Sequence, residues 1–157
     1  KNHTFLVDIF FELLKLRPDA VLVLVGQGEL TNMIHEKVKN LKIEDKVIFL
    51  GECSEVEDIL QCFDIFIMPS LFEGLPIAGI EAQASGLPLL MSDTISDELD
   101  ITPYVKKISL DTSPCTWAET AISLVDGYVR TSEQSERLRQ YSIENTVSQL
   151  GRIYLEE

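Results

Sequence analysis

The chain has 157 residues, of which 45% are hydrophobic, and this is enough for one domain with a full hydrophobic core. Its net charge of -13 and the lack of clustered lysines and arginines argue against nucleic-acid binding. The longest apolar runs are far shorter than a membrane span, and the first residues lack the layout of a signal peptide. We therefore expect a cytoplasmic domain without a membrane-spanning segment.

The first apolar pattern recurs at helical spacing over residues 5–16, and it predicts a helix that ends before Pro18 and is capped by Asn2 or Thr4. A continuous β-branched and leucine run at 21–25 predicts a strand buried on both faces of a parallel sheet. Later segments predict further strands at 47–50, 65–68, 89–91 and, in an outer position, 105–110. Segments with helical periodicity lie between the predicted strands. This alternation predicts a single α/β domain over residues 1–157, with a Rossmann-like doubly wound parallel sheet and helices on both faces.

The glycine-rich turn after the first predicted strand has two interpretations. Gly26 and Gly28 could approach a phosphate, but the third glycine of the dinucleotide fingerprint is missing. A tight turn between strand and helix also explains both glycines. We keep Gly26 as a candidate ligand-binding residue and expect His35, on the next helix, to be solvated.

The stretch at 69–88 predicts a loop and a helix between two parallel strands. Pro76 suits the first turn of the helix, whereas Gly86 and Pro88 end it. The start of such a helix presents free N–H groups at the carboxyl end of a strand, where open α/β sheets bind phosphorylated ligands. The amides concerned belong to Gly74, Leu75, Ile77 and Ala78.

Two glutamates, Glu73 and Glu81, frame this predicted anion-binding loop. Carboxylates accept hydrogen bonds, so they suit a ligand that is anionic in the middle and rich in hydroxyls at both ends. A nucleotide diphosphate sugar has that pattern. The alternative for an isolated pair is that Glu73 caps the helix and Glu81 lies on its solvated face.

The three cysteines do not form a pattern typical of a disulfide framework or a zinc site. Cys53, Cys62 and Cys115 are scattered, and no histidines accompany them at ligand spacing. No Asp-x-Asp pair offers an oxygen cage for a metal either. The sequence therefore predicts reduced, mostly buried thiols, no bound metal and no cofactor.

The central stretch, Phe-Glu-Gly-Leu-Pro, then Glu81, then Ala-Ser-Gly-Leu-Pro-Leu-Leu, resembles the donor-binding motif of retaining glycosyltransferases of the GT4 family. These enzymes have the two-domain GT-B fold. The resemblance extends along nearly the whole chain and corresponds to the C-terminal domain after its first strand. It implies a donor-binding domain of a longer enzyme, inactive alone, that uses a UDP-sugar in polysaccharide or glycolipid assembly.

The resemblance also implies roles for individual residues. Glu73 would contact the donor sugar, which makes it the candidate catalytic residue, and Glu81 would contact the ribose hydroxyls. Lys1 would lie at the diphosphate, although the arginine that accompanies it in the family has no counterpart here, and Ile48 would lie against the nucleotide base. The other candidate donor-binding residues are Gly26, Gly74, Leu75, Pro76, Ile77 and Ala78.

The implied partners are a nucleotide-sugar donor and an N-terminal acceptor domain of the same longer chain. The resemblance is also compatible with peripheral membrane association of the longer protein. Resembling proteins end with a helix that crosses back to that domain, so we expect apolar residues at 150–155 to be exposed. The polar segment 92–96 is either a ligand-facing loop or a connection. Two alternatives to a transferase stay open: a sugar-nucleotide epimerase of the same fold, and a non-catalytic module that binds a nucleotide or a protein.

Overall fold

The computed structural model describes residues 1–130 and 136–155. In chain order the elements are α1 (His3–Leu16), β1 (Leu22–Val25), α2 (Thr31–Asn40), β2 (Val47–Gly51), α3 (Val56–Gln61), β3 (Phe66–Met68), α4 (Ile77–Ala84), β4 (Leu89–Ser92), β5 (Val105–Ile108), α5 (Pro114–Val125), α6 (Glu136–Arg139) and α7 (Ile143–Leu155). Short 3-10 turns cover Glu44–Lys46 and Asp97–Leu99. Among these elements no helix has the length and apolarity that crossing a membrane requires.

All strand pairs are parallel, which confirms the predicted α/β class. β1 pairs with β2, and β4 lies between β3 and β5. In the described part of the chain no ladder joins β1 to β3, so hydrogen bonding divides the strands into a group of two and a group of three. In a doubly wound sheet the first strand of the domain lies between these two groups.

Helix α1 packs against both groups of strands. Phe10 belongs to the hydrophobic cluster around Leu24 of β1, whereas Ile9 packs in the cluster that contains Leu90 of β4. Ile67 of β3 contacts both clusters. The apolar face of α1 therefore holds the two groups of strands in one body.

The first predicted strand is less buried than its sequence indicated. Leu24 is buried, but Val21 lies before β1 and is 52% exposed. Val23 is paired with Ile48, which is 47% exposed, so the sheet face opposite α1 and α2 is partly open on β1 and β2. The prediction of burial on both faces is wrong. A β-branched run indicates a strand, but it does not indicate which helices or strands cover its two faces.

The cap of α1, the exposure of His35 and the burial of the cysteines were each predicted from the sequence. Asn2 stands at the cap position of α1, but its side chain makes no capping hydrogen bond; its carbonyl accepts from the amides of Phe5 and Leu6 instead. His35 is exposed as expected, and its ring stacks on Phe49 with centroids 3.7 Å apart. The prediction of mostly buried thiols is wrong, because the exposed cysteines are Cys62 and Cys115.

The exposed apolar surface expected near the C-terminus is confirmed. Leu150, Ile153 and Tyr154 of α7 are exposed, the last two by more than two thirds. The side chain of Leu155 lies outside the described part.

Gly79 places α4 close to the 3-10 turn after β4. A methyl group there would come within 2.7 Å of Cδ2 of Leu99, which is fully buried. We expect Gly79→Ala to lower the free energy of unfolding by up to about 2 kcal/mol, since overpacking costs more than the gain in helix propensity. Gly151→Ala is the matched control, because its methyl group meets no atom within 4 Å. Equal melting temperatures for the two variants would contradict the close contact.

Candidate active site

The loop between β3 and α4 presents free backbone amides. Pro76 is the cap residue of α4, one position before the helical residues, and its backbone is extended with ψ of 117°. Its carbonyl accepts the Gly79 amide at 3.0 Å. Within the described residues no protein acceptor receives a hydrogen bond from the amides of Gly74, Leu75, Ile77 and Ala78. This arrangement can accept an anion at the helix start.

The adjacent strand β4 fixes the beginning of this loop. The carbonyl of Ser70 accepts hydrogen bonds from Ser92 Oγ at 2.6 Å and from Thr94 Oγ1 at 2.9 Å. The two hydroxyl groups also contact each other at 2.9 Å. The sequence analysis left segment 92–96 as either a ligand-facing loop or a connection. Within it, the hydroxyl groups of Ser92 and Thr94 hold the β3–α4 loop in place.

The buried Gln83 of α4 is a positioning residue that the sequence analysis did not identify. Its Nε2 donates to the carbonyl oxygens of Gly79, at 3.1 Å, and Leu99, at 2.9 Å. Its Oε1 accepts from the backbone amide of Thr102 at 3.0 Å. The one available signal was a glutamine that follows a mostly apolar helical segment, since the polar atoms of a glutamine need partners if they are buried. Gln83 ties α4 to the chain after β4.

Glu73 lies in this loop and is paired with Lys1. Lys1 Nζ is 2.7 Å from Glu73 Oε1, and the side chains are 53% and 18% exposed. Burial acts to raise the pKa of Glu73, but the hydrogen bond and charge of Lys1 outweigh it and hold the pKa below its usual value, with a smaller contribution from Ser70. Glu73 is therefore an ionised acceptor at neutral pH, already occupied by a lysine.

The hydroxyl group of Ser70 also influences Glu73. Ser70 is fully buried, and its Oγ meets no partner with hydrogen-bond geometry among the described residues. It nevertheless lies close enough to Glu73 to contribute to the lowered pKa of that carboxyl. A buried hydroxyl without a partner loses its hydrogen bonds to water, so this position is energetically costly.

Glu81 lies inside α4 and is partly buried. Its carboxylate makes no hydrogen bond or ion pair with any residue in the described ranges. It therefore offers two free acceptor oxygens, which is the requirement for binding a pair of adjacent hydroxyl groups. The structure thus gives the two glutamates of the motif different states, one paired and one free.

The remaining candidates lie on the other group of strands. Gly26 follows β1 with φ of +103°, a conformation that favours glycine, and its amide donates to the Gly51 carbonyl at 2.6 Å. Ile48 lies on β2 and is half exposed. An open pocket of about 530 Å³ adjoins this glycine turn and is lined by Gln27, Gly28, Glu29, Thr31 and Asn32. Neither Gly26 nor Ile48 makes a hydrogen bond with Glu73 among the described residues, and their ligand roles stay predictions.

The arrangement of the His, Cys, Asp and Glu side chains bears on metal binding. In ranges 1–130 and 136–155, no three His, Cys, Asp or Glu side chains come together in a way that could hold a metal ion.

Comparison with known proteins gives the family of this chain. The profile of the family described as glycosyl transferases group 1 matches residues 1–145. The chain is 36% identical over 152 residues to the putative glycosyltransferase EpsF of Bacillus subtilis, covering 96% of this chain and 38% of EpsF. It is 39% identical over 79 residues to UDP-Gal:alpha-D-GlcNAc-diphosphoundecaprenol alpha-1,3-galactosyltransferase of Escherichia coli, covering 50% of this chain and 20% of that enzyme.

A solved structure shows the same fold. HepE of Anabaena, crystallised in complex with UDP and glucose, superimposes with a TM-score of 0.77 at 15% sequence identity. The match covers 100% of this chain and 45% of HepE, so the chain spans less than half the length of each of these relatives. The fold is that of the C-terminal part of a GT-B glycosyltransferase. With the family profile matching almost the whole sequence, this chain belongs to the glycosyl transferases of group 1, the GT4 family.

Proposed function

We propose that this chain is the donor-binding domain of a retaining glycosyltransferase that transfers a hexosyl group from a nucleotide diphosphate sugar to a glycan or glycolipid acceptor. One observation carries the proposal: four free amides at the start of α4 lie between Glu73 and Glu81. Amides suit a diphosphate, and carboxylates suit the hydroxyl groups on either side of it.

The proposed donor is a UDP-sugar. The relative from Escherichia coli is named for UDP-Gal, and HepE was crystallised with UDP and glucose. The name of the first also includes a diphosphoundecaprenol acceptor, which supports a role in polysaccharide or glycolipid assembly. These names support the donor class and do not identify the sugar that this chain binds.

In this proposal the candidate residues bind different parts of the donor. The amides of Gly74 to Ala78 and the ammonium of Lys1 bind the diphosphate, Glu81 binds the ribose hydroxyls, and Glu73 binds the sugar. Positive charge and N–H donors at the diphosphate stabilise the leaving group as the glycosidic bond breaks. Ile48 and Gly26 would line the base end of the site, through the backbone.

A net charge of -13 does not conflict with an anionic donor. Exposed charges are screened beyond roughly 8 Å at physiological salt, whereas the amides at the start of α4 act at contact distance. The site therefore depends on local donors more than on the overall charge. We place the protein in the cytoplasm, where nucleotide sugars are available as donors.

The proposal includes a longer protein in which residues 1–157 form one domain. Coverage of less than half of each compared relative supports this. The strand pattern supports it too, because β1 and β3 each lack a neighbour on one side in the described part. A strand preceding α1 would reach that gap by a right-handed crossover and complete the doubly wound order. The acceptor would then be bound by an N-terminal domain of the same polypeptide.

Transfer by the longest natural form of the protein tests this function. The protein is incubated with labelled UDP-sugars and candidate acceptors, and both free UDP and labelled acceptor are measured. A transferase releases one UDP for each new glycosidic bond. Interconversion of UDP-sugars without an acceptor product would instead indicate an epimerase, and binding without turnover would indicate a non-catalytic module.

A further inference from the structure

The ion pair between Lys1 and Glu73 competes with donor contacts at both residues. Lys1 Nζ and Glu73 Oε1 are 2.7 Å apart, so each group uses part of its charge and hydrogen-bonding capacity on the other. In the proposed function, on which this inference rests, Lys1 binds the diphosphate and Glu73 binds the sugar. Donor binding therefore weakens the ion pair, because the diphosphate competes with Glu73 for the ammonium of Lys1.

Lys1 and Glu73 differ in how well water can solvate their charged groups when the ion pair weakens. Lys1 is half exposed, so water can solvate its ammonium when the pair opens, and pairs of this kind contribute little net stability. Glu73 is only 18% exposed, and burial alone acts to raise its pKa. A carboxylate released at such a position is poorly solvated and needs new hydrogen-bond donors.

Ser70 can supply one of these donors. Its Oγ is buried, has no partner with hydrogen-bond geometry among the described residues, and lies near the Glu73 carboxyl. A small rearrangement of the two side chains would let the Ser70 hydroxyl donate to the carboxylate. The hydroxyl groups of a bound sugar would supply the rest.

We infer that the Lys1–Glu73 pair is a specificity determinant that favours the intact sugar donor over its nucleoside diphosphate. A diphosphate at the α4 amides competes for the ammonium of Lys1 and leaves Glu73 less completely paired. If a sugar is attached, its hydroxyl groups donate to the released carboxylate. If the ligand is UDP alone, the carboxylate stays incompletely paired beside a second anion, and binding is weakened.

The test is calorimetric titration of the longest natural form with UDP and with UDP-glucose. We expect Glu73→Gln to bind UDP two- to fivefold more tightly than wild type, the range that an exposed ion pair allows, and to bind UDP-glucose more weakly. Lys1→Gln should weaken both ligands. In the Lys1→Gln background the gain in UDP affinity from Glu73→Gln should shrink, whereas Lys1→Arg should preserve it.

Glu12→Gln is the matched control, because it breaks another ion pair, with Lys15 at 2.6 Å, and removes the same charge away from the site. It should leave both affinities unchanged, and circular dichroism verifies that every variant is folded. An equal effect of Glu73→Gln on UDP with and without Lys1 would overturn the coupling and leave the proposed function intact. No UDP binding by the wild type would overturn the proposed function itself, and the inference with it.

Discussion

Replacement of Glu81 by alanine is expected to weaken the binding of UDP and of UDP-sugars by roughly tenfold to a hundredfold. The carboxylate is partly buried and has no hydrogen bond or ion pair in the described part of the chain, so in the proposed complex its acceptors serve the ribose hydroxyls. Losing hydrogen bonds to a charged group typically costs about 1.5–3 kcal/mol, which corresponds to that range of affinity. Isothermal titration of both ligands measures the loss.

Glu36→Ala is the control for this variant. Glu36 is also a glutamate inside a helix, α2, but it is exposed. The same substitution there should leave UDP affinity unchanged, since it removes the same charge without removing a ligand contact. Unchanged UDP affinity for Glu81→Ala, with folded protein, would instead favour the alternative that Glu81 only belongs to the surface of α4.

The second large effect concerns catalysis by the 157-residue chain. We expect it to transfer no sugar, even where it binds the donor. Retaining transfer needs an acceptor hydroxyl positioned on the face of the leaving group and a site closed to water. The groups that we propose to bind the donor, namely the amides, Glu73, Glu81 and Lys1, lie in the described residues, where we identify no motif that positions an acceptor.

This prediction is checked by incubating the chain with labelled UDP-sugars and candidate acceptors. The longest natural form of the protein is the positive control, and both proteins must be shown to be folded. We expect neither labelled product nor rapid donor hydrolysis from the chain alone. Turnover approaching that of the longer form would show that the catalytic groups lie within these 157 residues.

The element order could be predicted from the sequence because most strands are short apolar runs and most helices have a periodic apolar face. The start of α4 was predicted to within one residue, since Pro76 restricts the chain there. The exposure of Val21 and Ile48 could not be predicted, because a strand pattern carries no information about neighbouring strands or covering helices.

Side-chain partners were the least predictable part of the site. The ion pair of Lys1 with Glu73 joins residues far apart in sequence, and its formation depends on where α1 begins relative to the β3–α4 loop. The bonds of Gln83 to Leu99 and Thr102 depend on the path of the chain after β4. Local periodicity cannot give such contacts, so the motif indicated candidate site residues without revealing which of them are paired with each other.

The amide signals of the β3–α4 loop test the central claim most directly. In a nitrogen-15 NMR titration of the folded chain with UDP, we expect saturable shifts for the amides of Gly74, Leu75, Ile77 and Ala78, and none for Gly151 in α7. A diphosphate held at the start of α4 must change these signals, because their N–H groups donate to it. Saturable shifts confined to the pocket lined by Gln27 and Asn32, or no shifts at all, would contradict the proposed donor site.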